Sequence, residues 1–565
     1  MYLFLIVAST GLAAILYWFY KRYQQKKQQR QHLEESWGRQ KKRKYDWDQV
    51  RAYHDLVQPP EGAPVIDDDT WVDLDFDKLF ALIDRTESTM GQQVLFYILH
   101  RPAKGLNTLL QREKLIELLT EDEDFRLDLQ MQLQKLTGRR MWKLSKLIFG
   151  RLPVIPAWFR GFLLIPVFAI LSIPLGFLNP IFFAGLAVIP IFNLMIQYSF
   201  GSKIASYTAA LSALSPFLST TEKMSKVIYN HDNPLNQFGD SFSDDCHRLR
   251  SLKKRVSQYL HEGSPDDMST IFWDYLNLLL LLKINMFTLS VDAIRKNQKA
   301  LQDLFHKVGY LDTMISAASF KSGLASKSRP SFDSSTDTLK YKLMYHPLLE
   351  DPVPNSVKIG HEGILITGSN MSGKTTFLKT LGVNQILAQT FNFCCAEKAD
   401  ITFCNVVSSM RREDDLSEGK SFYLGEVERV KKLIDLASRD DENFLFLLDE
   451  IYRGTNTIER IAASKEVLKW LNRPHSFVLA STHDLELVDL LKDEYSFYHF
   501  AETVGDQELS FDYKIKPGQS STKNAIKLLK VWGYPDEIVN GAMDVSHILE
   551  KEGVINMHIN NKKVD

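Results

Sequence analysis

The chain has 565 residues, enough for several domains, and a hydrophobic fraction of 45% that supports real cores. Its 68 Lys and Arg are balanced by 69 Asp and Glu, which excludes a globally basic nucleic-acid binder. Four cysteines, Cys246, Cys394, Cys395 and Cys404, show no metal-ligand spacing and read as thiols of a reducing compartment.

Residues 1–20, "MYLFLIVASTGLAAILYWFY", carry no charge and end in aromatics, with Lys21 and Arg22 following at once. A cleaved signal peptide carries its charge before the apolar run, so this segment predicts a membrane span with Lys21 on the cytoplasmic side. Residues 21–50 form a basic linker: between Lys21 and Lys44 stand ten Lys or Arg and two acids. Such a run can meet lipid headgroups or nucleic acid, and the sequence leaves both open.

Residues 51–160 have Leu, Ile and Phe at helical spacing and predict the first part of a helical core. From Gly161 to Phe200 there is no charged residue, too long a run for one span and suited to two. "FLNP", Phe177 to Pro180, predicts the turn between them. Arg160 and Lys203 then flank a hairpin, and three spans leave everything after Lys203 in the cytoplasm. Residues 201–330 read as a second helical part, with a soft patch near 230–245. "YLNLLLLLKINMF", Tyr275 to Phe287, is cut short of a span by Asp274 and Lys283 and predicts a core helix.

From about Leu339 the pattern changes. "GILIT", "ADITFCNVV", "FLFLLDE" and "SFVLASTH" are short apolar runs separated by helical segments. They predict an α/β domain over 339–565, a parallel sheet with helices on both faces.

Within it, Gly368-Ser369-Asn370-Met371-Ser372-Gly373-Lys374-Thr375 fits G-x-x-x-x-G-K-[ST] between a predicted strand and a helix. Glycines let backbone N–H groups close on phosphate oxygens, and the helix N-terminus adds positive potential. Lys374 is expected to reach the outer phosphates of ATP, and the Thr375 hydroxyl to ligate Mg²⁺, with Thr376 completing the loop. Asp449, at the end of "FLFLLDE", is expected to hold Mg²⁺ through water. Glu450 follows, placed to polarise an attacking water, which points to hydrolysis. His483, ending "LASTH", can donate to the γ-phosphate or to that water.

With these residues in place the chain resembles the MutS family, the ABC-type ATPases of DNA mismatch repair. "TGSNMSGKTT" is similar to that family's T-G-P-N-M-G-G-K-S-T, with Ser369 and Ser372 in place of Pro and Gly. "LLDEIYRGTNTIE" resembles its D-E-I-G-R-G-T-S-T segment, with Tyr452 where a small residue is usual. "DDLSEGKSFYLGE" places Ser421 and Glu426 as the family does, and "STHDLEL" and "MYHPLLE" around His346 also match. "LIDRTESTMGQQVLFYILHRP", Leu82 to Pro102, is similar to the start of the family's helical core. Pro517 to Pro535 resembles its C-terminal dimerisation segment. The resemblance implies a homodimer in which Ser421 of one chain reaches the other chain's γ-phosphate. It also implies ATP-dependent binding of mismatched or branched DNA.

Two departures bear on function. About 60 residues separate the first predicted span from Leu82, too few for the family's mismatch-reading domain. Residues 201–310 carry thirteen basic and eleven acidic side chains, no concentrated footprint for a duplex. The expected architecture is therefore an α/β P-loop ATPase domain of ABC type behind an all-α lever region with three transmembrane helices. It would be a multi-pass protein of the cell membrane with the ATPase in the cytoplasm. A mechanical or scaffolding ATPase that binds no DNA is the alternative. A transporter subunit fits poorly, since the spans hold few polar residues. A small-molecule kinase fits poorly with Glu450, Ser421 and His483 together.

Overall fold

The computed structural model describes residues 2–59, 62, 64–152, 157–230, 236–257, 275–333, 337–369, 372–410, 422–439, 442–504, 509–519, 526, 529–530 and 532–552. The chain divides into two units. One holds residues 1–63, 80–99 and 110–323; the other holds 64–79, 100–109 and 324–565.

The first unit is helical, as expected. The helices Thr89–Leu99 and Gln298–Gly323 cross closely enough to need glycine at the contact. A Cβ on Gly309 would lie 2.3 Å from Val94 Cγ2 and 2.8 Å from the Met90 carbonyl. Asp312, on the second helix, caps the N-terminus of the first. It accepts from the N–H groups of Glu87 at 2.8 Å and Ser88 at 2.7 Å, and from the Ser88 hydroxyl. Its own desolvation dominates, so its carboxyl is pushed up to about 7. Nearby, buried Asp84 accepts from Arg43 at 2.9 Å, Tyr45 Oη at 3.1 Å and Gln92 Nε2 at 2.8 Å. These acids and serines are the polar letters of the Leu82–Pro102 stretch and its partner helix, and burial explains why each is paired.

Two helices among the described residues are long and apolar enough to cross a membrane, Trp158–Leu178 and Ile181–Phe200, where the sequence predicts three spans. Their mean hydropathies are 2.3 and 1.9. The turn falls where expected, at Asn179 and Pro180, with Asn179 Oδ1 accepting from the Ile181 N–H at 3.1 Å. The first predicted span, residues 1–20, is not one of the two; the side chains of residues 1–8 lie outside the described residues. Its backbone belongs to one helix, Tyr2–Ser36. That helix runs through much of the basic run, so residues 21–36 of the basic linker are helical. The second span also continues: Ile181–Asn230 is a single 50-residue helix. The soft patch near 230–245 is partly helix, Asn236–Arg248; residues 231–235 lie outside the described residues.

The second unit is the α/β domain. Its strands are β1 (Ser331–Phe332), β2 (Leu339–Met344), β3 (Asn355–Ile359), β4 (Gly363–Thr367), β5 (Lys398–Ile401), β6 (Asn405–Ser409), β7 (Phe444–Asp449), β8 (Ser476–Ser481), β9 (Tyr495–Val504) and β10 (Leu509–Pro517). The main sheet has the order β10-β9-β4-β8-β7-β6, parallel except for β10, which is antiparallel to β9. Fully buried β4 and β8, and β7 up to its last residue, explain the unbroken apolar runs of the sequence. A second sheet, β1-β5-β2-β3, was not expected. "ADITFCNVV" is not one strand but two, and β5 and β6 enter different sheets. Residues 64–79 return to this unit and brace the end of β6. Asp73 Oδ2 accepts from Ser408 Oγ at 2.6 Å and from the Met410 N–H at 3.0 Å. Arg429 of the helix Phe422–Ala437 binds Asp67 at 2.6 Å and Asp69 at 3.0 Å.

Candidate functional site

The carboxyl ends of the adjacent strands β4, β7 and β8 converge, which is where open parallel sheets place their ligand site. From β4 the chain turns through Gly368, at φ +138°, and enters the helix Lys374–Phe391 through Gly373, at φ +105°. Both angles favour glycine. A Cβ on Gly368 would also meet the Phe500 carbonyl at 2.8 Å. Asn370 and Met371 lie outside the described residues. Ser369 and Ser372, the two departures from the family's loop, bond to each other: Ser372 Oγ donates to the Ser369 carbonyl at 2.7 Å.

Lys374 is buried, and its Nζ donates to the carbonyls of Gly368 at 2.6 Å and Ser369 at 2.8 Å. Thr375 Oγ1 donates to Asp449 Oδ2 at 2.6 Å, so the two expected magnesium ligands stand side by side. Asp449 Oδ1 accepts from Ser481 Oγ of β8, which fixes the carboxylate's plane. Thr376 is exposed on the same helix turn.

Glu450 leaves β7 in a left-handed conformation, φ +54°, with its N–H bound to the Ser481 carbonyl at 3.0 Å. Its carboxylate lies between His483 Nε2, at 2.6 Å, and the Arg453 guanidinium. Burial first, then Lys374 and Arg453, push the His483 imidazole down to about 4. That shift favours the neutral imidazole, with Nε2 facing the Glu450 carboxylate. A cavity of about 230 Å³ opens beside them, with Arg460, Thr482 and Asp484 in its wall. Arg460 grips Asp484 with two bonds, 2.9 and 2.6 Å, and so holds the turn after His483.

Ser421 lies outside the described residues. Glu426, one turn into the helix that follows, accepts from the N–H groups of Arg453 and Gly454, although burial raises its carboxyl. Tyr452 has φ +62° and is buried, which gives a physical reason for a small residue to suit that position.

A second cavity, about 470 Å³, adjoins Lys374 and Thr375. His346, Phe377, Phe500 and Tyr513 contribute to its wall. The sequence singles out only His346 of these, as part of a motif. Phe500 and Tyr513 come from β9 and β10, and nothing in their local spacing marks them. His346 is pushed down to about 4 by burial and by Lys379.

A parallel sheet with a glycine-framed loop between β4 and its helix, and an Asp-Glu pair ending β7, defines the P-loop class of nucleotide-binding domain. The family model of MutS domain V matches residues 364–550. The DNA mismatch repair protein MutS of Thermus aquaticus is 34% identical over 215 residues, covering 37% of this chain and 26% of that protein. The protein of the same name from Thermus thermophilus is 30% identical over 257 residues, 44% of this chain and 31% of that one. MutS protein homolog 4 of Mus musculus is 32% identical over 273 residues, 45% and 28%. Through this C-terminal region the chain is similar to MutS proteins. It spans about a quarter to a third of the length of these relatives.

Proposed function

We propose that the chain is a membrane-anchored MutS-type ATPase that binds and hydrolyses ATP with Mg²⁺ as a homodimer and engages mismatched or branched DNA. The observation that carries the nucleotide reading is the meeting of Lys374, Thr375, Asp449, Glu450 and His483 at one end of the sheet.

The donor set fits the group. A hydroxyl and a carboxylate 2.6 Å apart suit an oxygen-loving divalent cation that keeps several waters. Lys374 now holds loop carbonyls that phosphate oxygens can replace as partners. The cavity walled by His346, Phe377, Phe500 and Tyr513 offers aromatic surface for a base. When bound, Mg·ATP supplies the phosphoanhydride bond and the charge neutralisation that its cleavage needs. Asn370, Met371 and Ser372 would add loop N–H groups to the phosphates. Asp449 and Thr375 would hold the cation. Glu450, aligned by His483, would accept the proton of a water placed in the cavity at its side. Ser421 of the second chain would complete the site.

The exposed apolar faces of Trp158–Leu178 and Ile181–Phe200 support a lipid bilayer as partner; Phe177 and Leu178 are each 82% exposed. With the first span this gives a multi-pass protein of the cell membrane whose P-loop domain lies in the cytoplasm. Binding of DNA rests on the names of the relatives. A second reading, mechanical work without DNA, is favoured by the 50-residue helix Ile181–Asn230, whose 30 residues beyond the second span make a lever of about 45 Å.

The test is salt-titrated binding of the purified full-length protein to homoduplex, mismatched and branched DNA, with and without ATP. A steep salt slope with preference for one structure supports the first reading. Flat, negligible binding supports the second.

A further inference from the structure

The run Tyr275 to Phe287 is not one core helix. Residues 275–280 are helical, Leu281 turns left-handed at φ +50° and ψ +40°, and a new helix, Leu282–Lys296, begins. A left-handed leucine is costly, and a break of this kind strips helical partners from the carbonyls before it.

Those carbonyls are claimed one by one. Asn193 Nδ2 donates to the Leu278 carbonyl at 2.8 Å and to that of Leu279 at 3.0 Å. Asn285 Nδ2 donates to the Leu280 carbonyl at 3.2 Å. Asn193 is fully buried, in the middle of the apolar helix Ile181–Phe200. In water such carbonyls need no dedicated amide; in hydrocarbon they do.

The depth follows from neighbouring contacts. Phe200 packs on Trp158 and Phe159 with ring centroids 5.6 and 5.1 Å away, and these aromatics mark one interface of the hairpin. Asn193 lies seven residues inside that level, about 10 Å of helix rise. Moving along the broken segment, Asn277 meets Gln197, and Leu278 and Leu279 meet Asn193. Phe287 meets Tyr207, and Asp292 pairs with Arg160 at 3.3 Å, back at or beyond the interface. The path descends, turns at Leu281 and climbs out. Eight residues between Asp274 and Lys283 are too few to span but enough for such a dip.

We propose that residues 275–281 form a re-entrant element that enters the leaflet on the Phe200 side, with its apex near Leu279–Leu281 at the depth of the lipid hydrocarbon, Leu281 itself packed against protein, and Asn193 holding its open carbonyls. This rests on the reading of 158–200 as a membrane hairpin. The test uses the full-length protein in phosphatidylcholine vesicles with a nitroxide on Leu280→Cys; the native cysteines are all buried. Collision with oxygen is compared with collision with a water-soluble nickel chelate. Phe192→Cys reports the hairpin and Tyr229→Cys, on an 84% exposed position, reports water. The label at 280 is expected to match 192 in its oxygen-dominated response. A label at 280 that matches 229 while 192 is lipid-like overturns the dip and leaves the hairpin standing. Water at 192 as well overturns both. Adding Asn193→Leu to the 280 label is expected to raise nickel access several-fold, and unchanged access would contradict the role given to Asn193.

Discussion

Lys374 illustrates what a sequence can and cannot say about a residue. Its neighbours along the chain announce the phosphate loop, because glycine spacing alone creates the turn that lysine terminates. The geometry adds the carbonyls of Gly368 and Ser369 as its partners. Replacing it with alanine removes a charge-assisted contact of about 1.5–3 kcal/mol, so nucleotide affinity measured by calorimetry is expected to fall roughly ten- to a hundred-fold. Phe500 and Tyr513 were illegible by contrast, since they reach the neighbouring cavity from strands more than a hundred residues downstream. His306, in the helical unit, carries a pH prediction. Burial first, and Arg112 next, push its imidazole down to about 4 from an ordinary 6.5, and Nδ1 lies 2.9 Å from Tyr53 Oη. Below pH 6.5 the unfolded chain takes up a proton that the folded chain refuses until about pH 4. Stability from this group is therefore lost as pH falls through that window, by roughly 3 kcal/mol in all. His306→Asn is expected to show a shallower loss of urea midpoint between pH 6.5 and 4 than the parent protein. Parallel curves would remove His306 from the account.

At the scale of elements, the apolar runs "GILIT", "FLFLLDE" and "SFVLASTH" announced their strands directly, because a strand buried on both faces has no polar alternation to confuse the reading. "ADITFCNVV" misled, since two strands of different sheets follow each other across residues 402–404 with no glycine or proline to mark the break. The core helix expected over 275–287 failed for a different reason: the carbonyls at its break are satisfied by Asn193, far upstream in the chain. The crossing of Thr89–Leu99 over Gln298–Gly323 depends on Gly309 and Gly91, where an added Cβ meets Val94 and Asp312. Gly309→Leu is expected to force these helices apart and lower the thermal midpoint, at a cost of about 1–3 kcal/mol or more. A midpoint matching the parent's would show that the crossing tolerates side-chain volume.

For the whole molecule, a P-loop domain similar to MutS domain V shares one chain with a hairpin whose apolar surface is exposed, and neither feature explains the other. The sequence made both visible, because continuous apolar runs and the G-x-x-x-x-G-K-T pattern are local signals. It could not show that the second span and the following lever are one helix, for Pro190 and Pro216 stand inside it and usually break helices. The central claim is that this chain hydrolyses ATP through Glu450. The measurement is steady-state Mg²⁺-dependent phosphate release by the full-length protein in vesicles, parent against Glu450→Gln, with nucleotide binding followed in parallel. Turnover in the parent, a loss of about 10²–10⁴-fold in the variant and retained binding in both are the predicted results. Equal turnover in the two proteins, or none in the parent despite bound nucleotide, would contradict it.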